Sequence, residues 1–398
     1  MPRALWLLVI GMLINVTGAS FLWPLNTIYI HEHLGKSLSV AGVVLMLNSG
    51  ASVVGNLLGG VLFDKVGGYK SILSGILITL AALVTLVFFH EWSFYIVLLV
   101  IIGLGSGIVF PAMYAMGGTV WPEGGRKAFN ALYVAQNAGV AIGSALGGLV
   151  ASYSFKYIFI ANAMMYMLFF LIAAFSYRKI SAEKAKQVSV LDEISPVKNH
   201  AKFQALLTLC MGYLLCWVAY SQWASTISAY TQEIDISLKQ YSLLWTINGL
   251  LIVIGQPIVN GLIKLIAKTL KAQIMIGISI FIASFAIVSV SHQFWHFLVA
   301  MIVLTIGEMF VWPAVPTIAS MVAPKGREGF YQGVVNSTAT GGRMIGPLIG
   351  GVLADYYNMS ALFYVLIGFL VISLFTTAAY NRKINQVQQA ETIAGAAS

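Results

Sequence analysis

The chain has 398 residues, of which 59% are hydrophobic and only 9% charged, whereas a soluble domain is roughly 45–50% apolar and about 25% charged. At a mean hydropathy of +0.87 the apolar residues exceed what one core can hold and must face lipid, which excludes a soluble enzyme, a disordered scaffold and a disulfide-stapled domain. The net charge of +9 would point to nucleic acid in a soluble protein, so its meaning depends on where the charges lie. Cys210 and Cys216 both sit inside an apolar run and read as packing residues.

A helix that crosses hydrocarbon takes about 20 apolar residues, and twelve such runs follow one another along the chain. They cover roughly 4–30, 38–63, 70–89, 93–117, 128–152, 156–177, 203–230, 240–263, 271–291, 296–319, 329–354 and 360–380. Arg3, the apolar stretch after it and Gly18-Ala19-Ser20 have the look of a cleaved signal. The run continues through Phe21, Leu22 and Trp23, however, so span 1 is expected to be retained. Most connections are short. Tyr177 to Lys202 is long and carries six basic residues.

With the N-terminus inside, 18 of the 22 lysines and arginines fall on the inner side. Lys36, Lys156 and Lys239 fall outside, and Arg343 alone lies within a span. Basic loops stay cytoplasmic, so both termini are expected in the cytoplasm of a multi-pass cell-membrane protein. These charges lie beside anionic lipid, which accounts for the basic balance without nucleic acid.

The chain repeats itself at an offset of 200 to 203 residues. Asn48 recurs as Asn248, Gly55 as Gly255, and Gly105 to Ala112 as Gly307 to Ala314. Gly139 to Gly148 recurs as Gly342 to Gly351. The expected fold is an all-α membrane protein with twelve transmembrane helices in two six-helix, pseudo-repeated lobes. They cover 1–177 and 203–381, joined by a linker at 178–202 and followed by a tail at 382–398. A duplication of this kind sets a substrate cavity between the halves near the midplane.

After span 2 stands Gly60-Val61-Leu62-Phe63-Asp64-Lys65-Val66-Gly67, with Lys70 beyond it. This resembles the G-x-L-x-D-[RK]-x-G loop of the major facilitator superfamily; in the second half Lys264 takes the place of Asp64. Span 5 carries Gly139, Gly143, Gly147 and Gly148, similar to the antiporter series G-x-x-x-G-P-x-x-G-G except that Ser144 replaces the proline. Span 11 has the full series, with Gly342, Gly346, Pro347, Gly350 and Gly351. The chain thus resembles that superfamily and, within it, the twelve-helix drug:proton antiporters. The resemblance implies that Asp64 meets the N-terminal end of span 11 as part of a gate, where a carboxylate gains from the helix dipole. Glycines four apart let a neighbouring helix approach closely. They serve either tight packing or the sliding of spans 5 and 11 against the opposite lobe.

Of thirteen acidic residues only Glu308 lies deep in a span, and of the basic ones only Arg343. Either they pair with each other, or Glu308 faces the cavity and exchanges protons, since desolvation penalises its charge. Glu308 with Trp312 and Pro313 resembles a subset of multidrug antiporters whose span 10 supplies the acid. Gly103 stands where family members often carry an arginine in span 4. Asn48 and Asn248, at equivalent repeat positions, are candidates to line the cavity, as are Gln222 and the aromatic run of Trp217, Tyr220 and Trp223.

Gly35-Lys36-Ser37 lacks the earlier glycine of a phosphate-binding loop, because Ile30 stands there. One glutamate and one arginine are too few for an embedded enzyme. The expected function is secondary export of small lipophilic or cationic compounds, driven by proton entry and acting by alternating access. The alternative is a transporter of one metabolite, such as a sugar or amino-acid derivative. The expected partners are a small-molecule substrate, protons and the lipid bilayer, with no cofactor, metal or nucleic acid, and the chain acting as a monomer.

Overall fold

The structure is a computed structural model that describes residues 1–22, 26, 29–36, 38–151, 154–178, 180 and 196–381. Most of the expected linker, the tail at 382–398 and the surroundings of Gly148 lie outside the described residues. Twelve helical spans follow in chain order. The first six are Arg3–Leu22, Leu38–Val66, Gly68–Phe88, Trp92–Val120, Arg126–Ala151 and Phe155–Ile172, the last prolonged by a wider turn at Ala173–Tyr177. Span 7 is Pro196–Ser221, continued after a 3-10 turn by Thr226–Glu233. Spans 8 and 9 are Leu238–Ile266 and Leu270–Ser289, span 10 is Phe294–Val311 with Ala314–Val322, and spans 11 and 12 are Glu328–Tyr356 and Met359–Ala379.

The described helix of span 1 is Arg3–Leu22, and a wide turn stands at Tyr29–His33, where the sequence suggested that a helix runs to 30. Two further spans are interrupted within. Span 7 breaks at Gln222–Ala224. Span 10 breaks at Trp312-Pro313, because proline has no N–H to give the carbonyl one turn back. That carbonyl, Met309 O, is approached by the Gln256 amide from span 8 at 3.5 Å, and Gln273 of span 9 donates to Phe310 O at 2.6 Å. The Gln256 amide thus stands where the helical donor removed by the proline would be, and Gln273 serves the neighbouring carbonyl. On length and composition ten described helices are apolar enough to cross a membrane. Glu328–Tyr356 is not among them, because it is rich in glycine and polar residues.

By contact the chain forms two compact units. The first comprises Met1–Val188 with Gly326–Thr340, and the second comprises Ser189–Lys325 with Gly341–Ser398. In the first, span 1 packs on spans 5 and 6, and span 4 on spans 2 and 3. Its core holds Leu8, Met12, Ile76, Val109, Phe129 and Tyr177. In the second, span 7 packs on span 12, and span 10 on spans 8 and 9. These are the equivalent pairings, so the sequence repeat is also a repeat of packing.

Candidate functional site

Span 2 ends on Asp64. Its two carboxylate oxygens accept the backbone N–H groups of Gly329 and Phe330 at 2.7 and 2.8 Å. Both donors lie in the first turn of span 11, where backbone N–H groups lack acceptors within their own helix. The pair is charge-assisted and aligned with the helix dipole, worth ~0.3–1 kcal/mol at an exposed end and up to about 2 when partly buried. Glycine makes the approach possible. A Cβ on Gly60 would stand 2.3 Å from Gly329 O, and one on Gly329 would stand 2.4 Å from Gly60 O. The contact runs up the helix through Asn56, which donates to Thr340 Oγ1 at 3.2 Å, and Ser337, which donates to Val53 O at 3.1 Å. Lys65 and Lys70 are exposed. Gly67 adopts φ 88°, which starts span 3 in a conformation that side chains resist.

The glycine series pack within their own units. A Cβ on Gly139 or Gly143 would meet span 1 backbone at Leu13 O (2.8 Å) or Thr17 O (2.4 Å), and Gly147 lies against Phe21. In span 11, a Cβ on Gly342 would meet Trp217 Cβ at 2.6 Å, one on Gly346 Ser221 Oγ, and one on Gly350 Gln222 Oε1. Gly351 has open space, so it is not part of the packed face. Of the two readings drawn from sequence, the described contacts are those of tight packing, of span 5 on span 1 and of span 11 on span 7. Pro347 projects from an exposed stretch beside this face. Gln222, expected to line a cavity, is fully buried at the break of span 7. Its amide donates to Gly346 O at 2.7 Å and to Val218 O at 3.0 Å, while Thr226 donates to its carbonyl at 2.9 Å. The correction has a simple cause: the broken helix needs those hydrogen bonds more than a cavity wall does.

The membrane-embedded charges lie in the second unit. Glu308 is 2% exposed. A charge at that depth costs ~2.5–3.5 kcal/mol even on a lenient scale, and hydrogen bonds offset part of it. Asn248 donates to Oε1 at 2.7 Å and Tyr220 donates to Oε2 at 3.2 Å. The Asn248 amide also reaches Thr305 Oγ1 at 2.8 Å, and Thr305 donates to Met301 O at 2.7 Å. Asn48, the repeat counterpart, instead donates to Leu99 O at 2.6 Å, beside Gly103. In the first unit Ser106 stands at the repeat position of Glu308, and the Asn48 amide is met by a backbone carbonyl instead of a carboxylate.

An aromatic cluster adjoins the acid through Tyr220. Trp217 stacks on Trp312 at 4.3 Å and 12°, with Tyr213, Tyr220 and Phe281 meeting Trp312 at 5.5, 5.6 and 5.3 Å. Trp245 meets Tyr220 edge-on at 6.1 Å. The Arg343 guanidinium lies over the Trp217 ring, 4.7 Å from its centre. Both Arg343 and Glu308 are within electrostatic reach of the Tyr220 hydroxyl. Trp223 is not in this cluster; it is buried in the 3-10 turn, where its carbonyl accepts the Tyr241 hydroxyl. Tyr213 takes the place expected of it, because 213, 217 and 220 share one helical face and 223 falls beyond the break. Thr305, Trp245 and Phe281 were not singled out from sequence. Thr305 had a signal, lying one turn before Glu308; the other two did not.

The family model described as Major Facilitator Superfamily matches residues 8–274 and 209–396. The chain belongs to the major facilitator superfamily. It is a secondary transporter that moves a small molecule across the membrane as a multi-pass membrane protein, and it is not an enzyme. It is 65% identical over 389 residues to the uncharacterized MFS-type transporter YttB of Bacillus subtilis (strain 168), covering 98% of each chain. More distant are a Na(+), Li(+), K(+)/H(+) antiporter of Planococcus maritimus, 25% identical over 94% of each chain, and the quinolone resistance protein NorA of Staphylococcus aureus (strain COL), 23% identical over 92% of this chain and 94% of that one. Among solved structures, a bacterial homologue of the iron transporter ferroportin has the same fold. The TM-score is 0.77 at 14% identity, over 96% of this chain and all of the other.

Proposed function

We propose that this superfamily member exports small lipophilic compounds from the cell in exchange for protons, by alternating access, with Glu308 as the proton carrier. The observation that carries the reading is the burial of Glu308, with the Tyr220 hydroxyl and the Asn248 amide donating to its oxygens. Two donors suit the ionised form; a proton arriving at Oε2 makes that oxygen a donor and weakens it as the acceptor of the Tyr220 hydroxyl. Protonation thereby rearranges a contact between spans 7 and 10. Coupling of this kind needs a group whose charge changes in a place where charge is costly. Two distant relatives support the reading through their names, one an antiporter of protons and the other a drug-resistance protein. The chain sits in the cell membrane as a monomer with both termini cytoplasmic, and the Asp64 contact with span 11 closes the cytoplasmic side and opens once per cycle.

The test is transport in proteoliposomes with an imposed pH gradient and a panel of lipophilic dyes and metabolites. Glu308→Gln fixes a neutral side chain of nearly the same shape. Gradient-driven uphill export is expected to disappear while downhill exchange persists. Full gradient-driven export by Glu308→Gln would sink the proposal.

A further inference from the structure

The two embedded charges differ in who can reach them. Glu308 is 2% exposed, and both its oxygens are engaged. Arg343 is exposed, although it lies mid-span. A guanidinium does not stay in hydrocarbon, so this side of the helix faces a water-filled path. The accessible charge of the aromatic cluster is therefore positive.

The indole that would attract an organic cation is already taken. Trp217 is stacked by Trp312 at 4.3 Å and already holds the Arg343 guanidinium over its ring at 4.7 Å. A cationic compound would find no exposed carboxylate, an occupied cation–π face and a fixed cation that never deprotonates. An anion finds the opposite. The guanidinium offers a planar fork that matches a carboxylate. The Trp217 Nε1–H, buried beside it, has no hydrogen-bond acceptor in the structure. The half-exposed rings of Tyr220 and Trp245 supply the adjoining flat apolar wall.

We infer that this face binds planar aromatic compounds bearing a carboxylate, with the carboxylate on Arg343 and the ring against Tyr220 and Trp245. The inference rests on the export reading and narrows its lipophilic substrate class to aromatic anions. Glu308 and Arg343 both act on the Tyr220 hydroxyl, so neutralising Glu308 removes an opposing charge and strengthens the hold of Arg343 on the anion.

Calorimetric binding of 2-naphthoate, 2-naphthylmethylammonium and 2-naphthylmethanol to the purified full-length protein tests this, because the three share one ring system. The carboxylate is expected to bind at least tenfold more tightly than the ammonium. Arg343→Gln should remove that advantage while alcohol binding stays within twofold, and Glu308→Gln should tighten the carboxylate severalfold. Arg343→Lys keeps the charge but loses the fork and the stack, so an intermediate loss is expected. If Arg343→Gln also loses the alcohol, the lysine variant decides: an intermediate carboxylate loss supports the inference and no loss overturns it. Equal or tighter binding of the ammonium, a carboxylate indifferent to Arg343→Gln, or no measurable carboxylate binding each overturns it. The export reading is judged separately, by gradient-driven transport in proteoliposomes. Failure there with the binding order intact overturns proton coupling alone; transport of neutral dyes without the anion preference overturns only the substrate class.

Discussion

At the scale of single residues, the second unit concentrates its chemistry on one acid and its donors. Asn248 serves Glu308 and Thr305 together, whereas Asn48 serves only the Leu99 carbonyl. A hydrogen bond to a charged group contributes about 1.5–3 kcal/mol, and leaving the group unsatisfied costs at least as much. Asn248→Ala is therefore expected to cut gradient-driven transport by tenfold or more, and Asn48→Ala by less than threefold. Equal effects would mean that the carboxylate network carries no coupling. Asp64 is the other residue with a definable contribution. Asp64→Asn keeps one acceptor oxygen but loses the charge and one of two backbone hydrogen bonds, a change of about 1–2 kcal/mol at a partly buried helix end. Transport should fall severalfold at unchanged expression. A normal rate would show that the contact with Gly329 and Phe330 does not control the cycle.

Among the elements, spans 5 and 11 depart furthest from plain transmembrane helices. Their glycines bring them onto spans 1 and 7 with separations that a methyl group would violate. Gly346→Leu is expected to abolish transport while the protein still inserts, since even its Cβ would collide with Ser221. Gly351→Ala meets open space and should retain full transport; replacing a mid-helix glycine there stabilises the helix by roughly 0.5–1 kcal/mol. Transport rates and expression of the two variants, measured side by side, check both statements. Loss of transport in Gly351→Ala would move the packed face away from Gly342, Gly346 and Gly350. The breaks in spans 7 and 10 belong to this scale as well. Glutamines at 222, 256 and 273 satisfy carbonyls at or beside them, so three polar residues at membrane depth have a structural use.

For the whole molecule, topology is the testable property. Lys268 and Lys156 are both exposed, and the basic-residue count sets them on opposite sides of the membrane. An impermeant thiol reagent applied to intact cells should label Lys156→Cys and leave Lys268→Cys unlabelled; the reverse pattern would invert the chain. The sequence alone determined the twelve spans, the twofold repeat and the isolation of Glu308 and Arg343. Each of these follows from one-dimensional quantities: the length of an apolar run, a constant offset, and the cost of charge in hydrocarbon. The tertiary structure alone decided partners. Gln222 and Asn248 are both polar residues at midplane depth, yet one closes a broken helix and the other binds the acid. Trp217 and Trp223 are six residues apart, yet a 3-10 turn puts only the first beside Arg343. Such choices depend on where a helix breaks and which face meets a neighbour. They arise from hydrogen bonds between residues tens or hundreds of positions apart, and no local pattern in the chain encodes them.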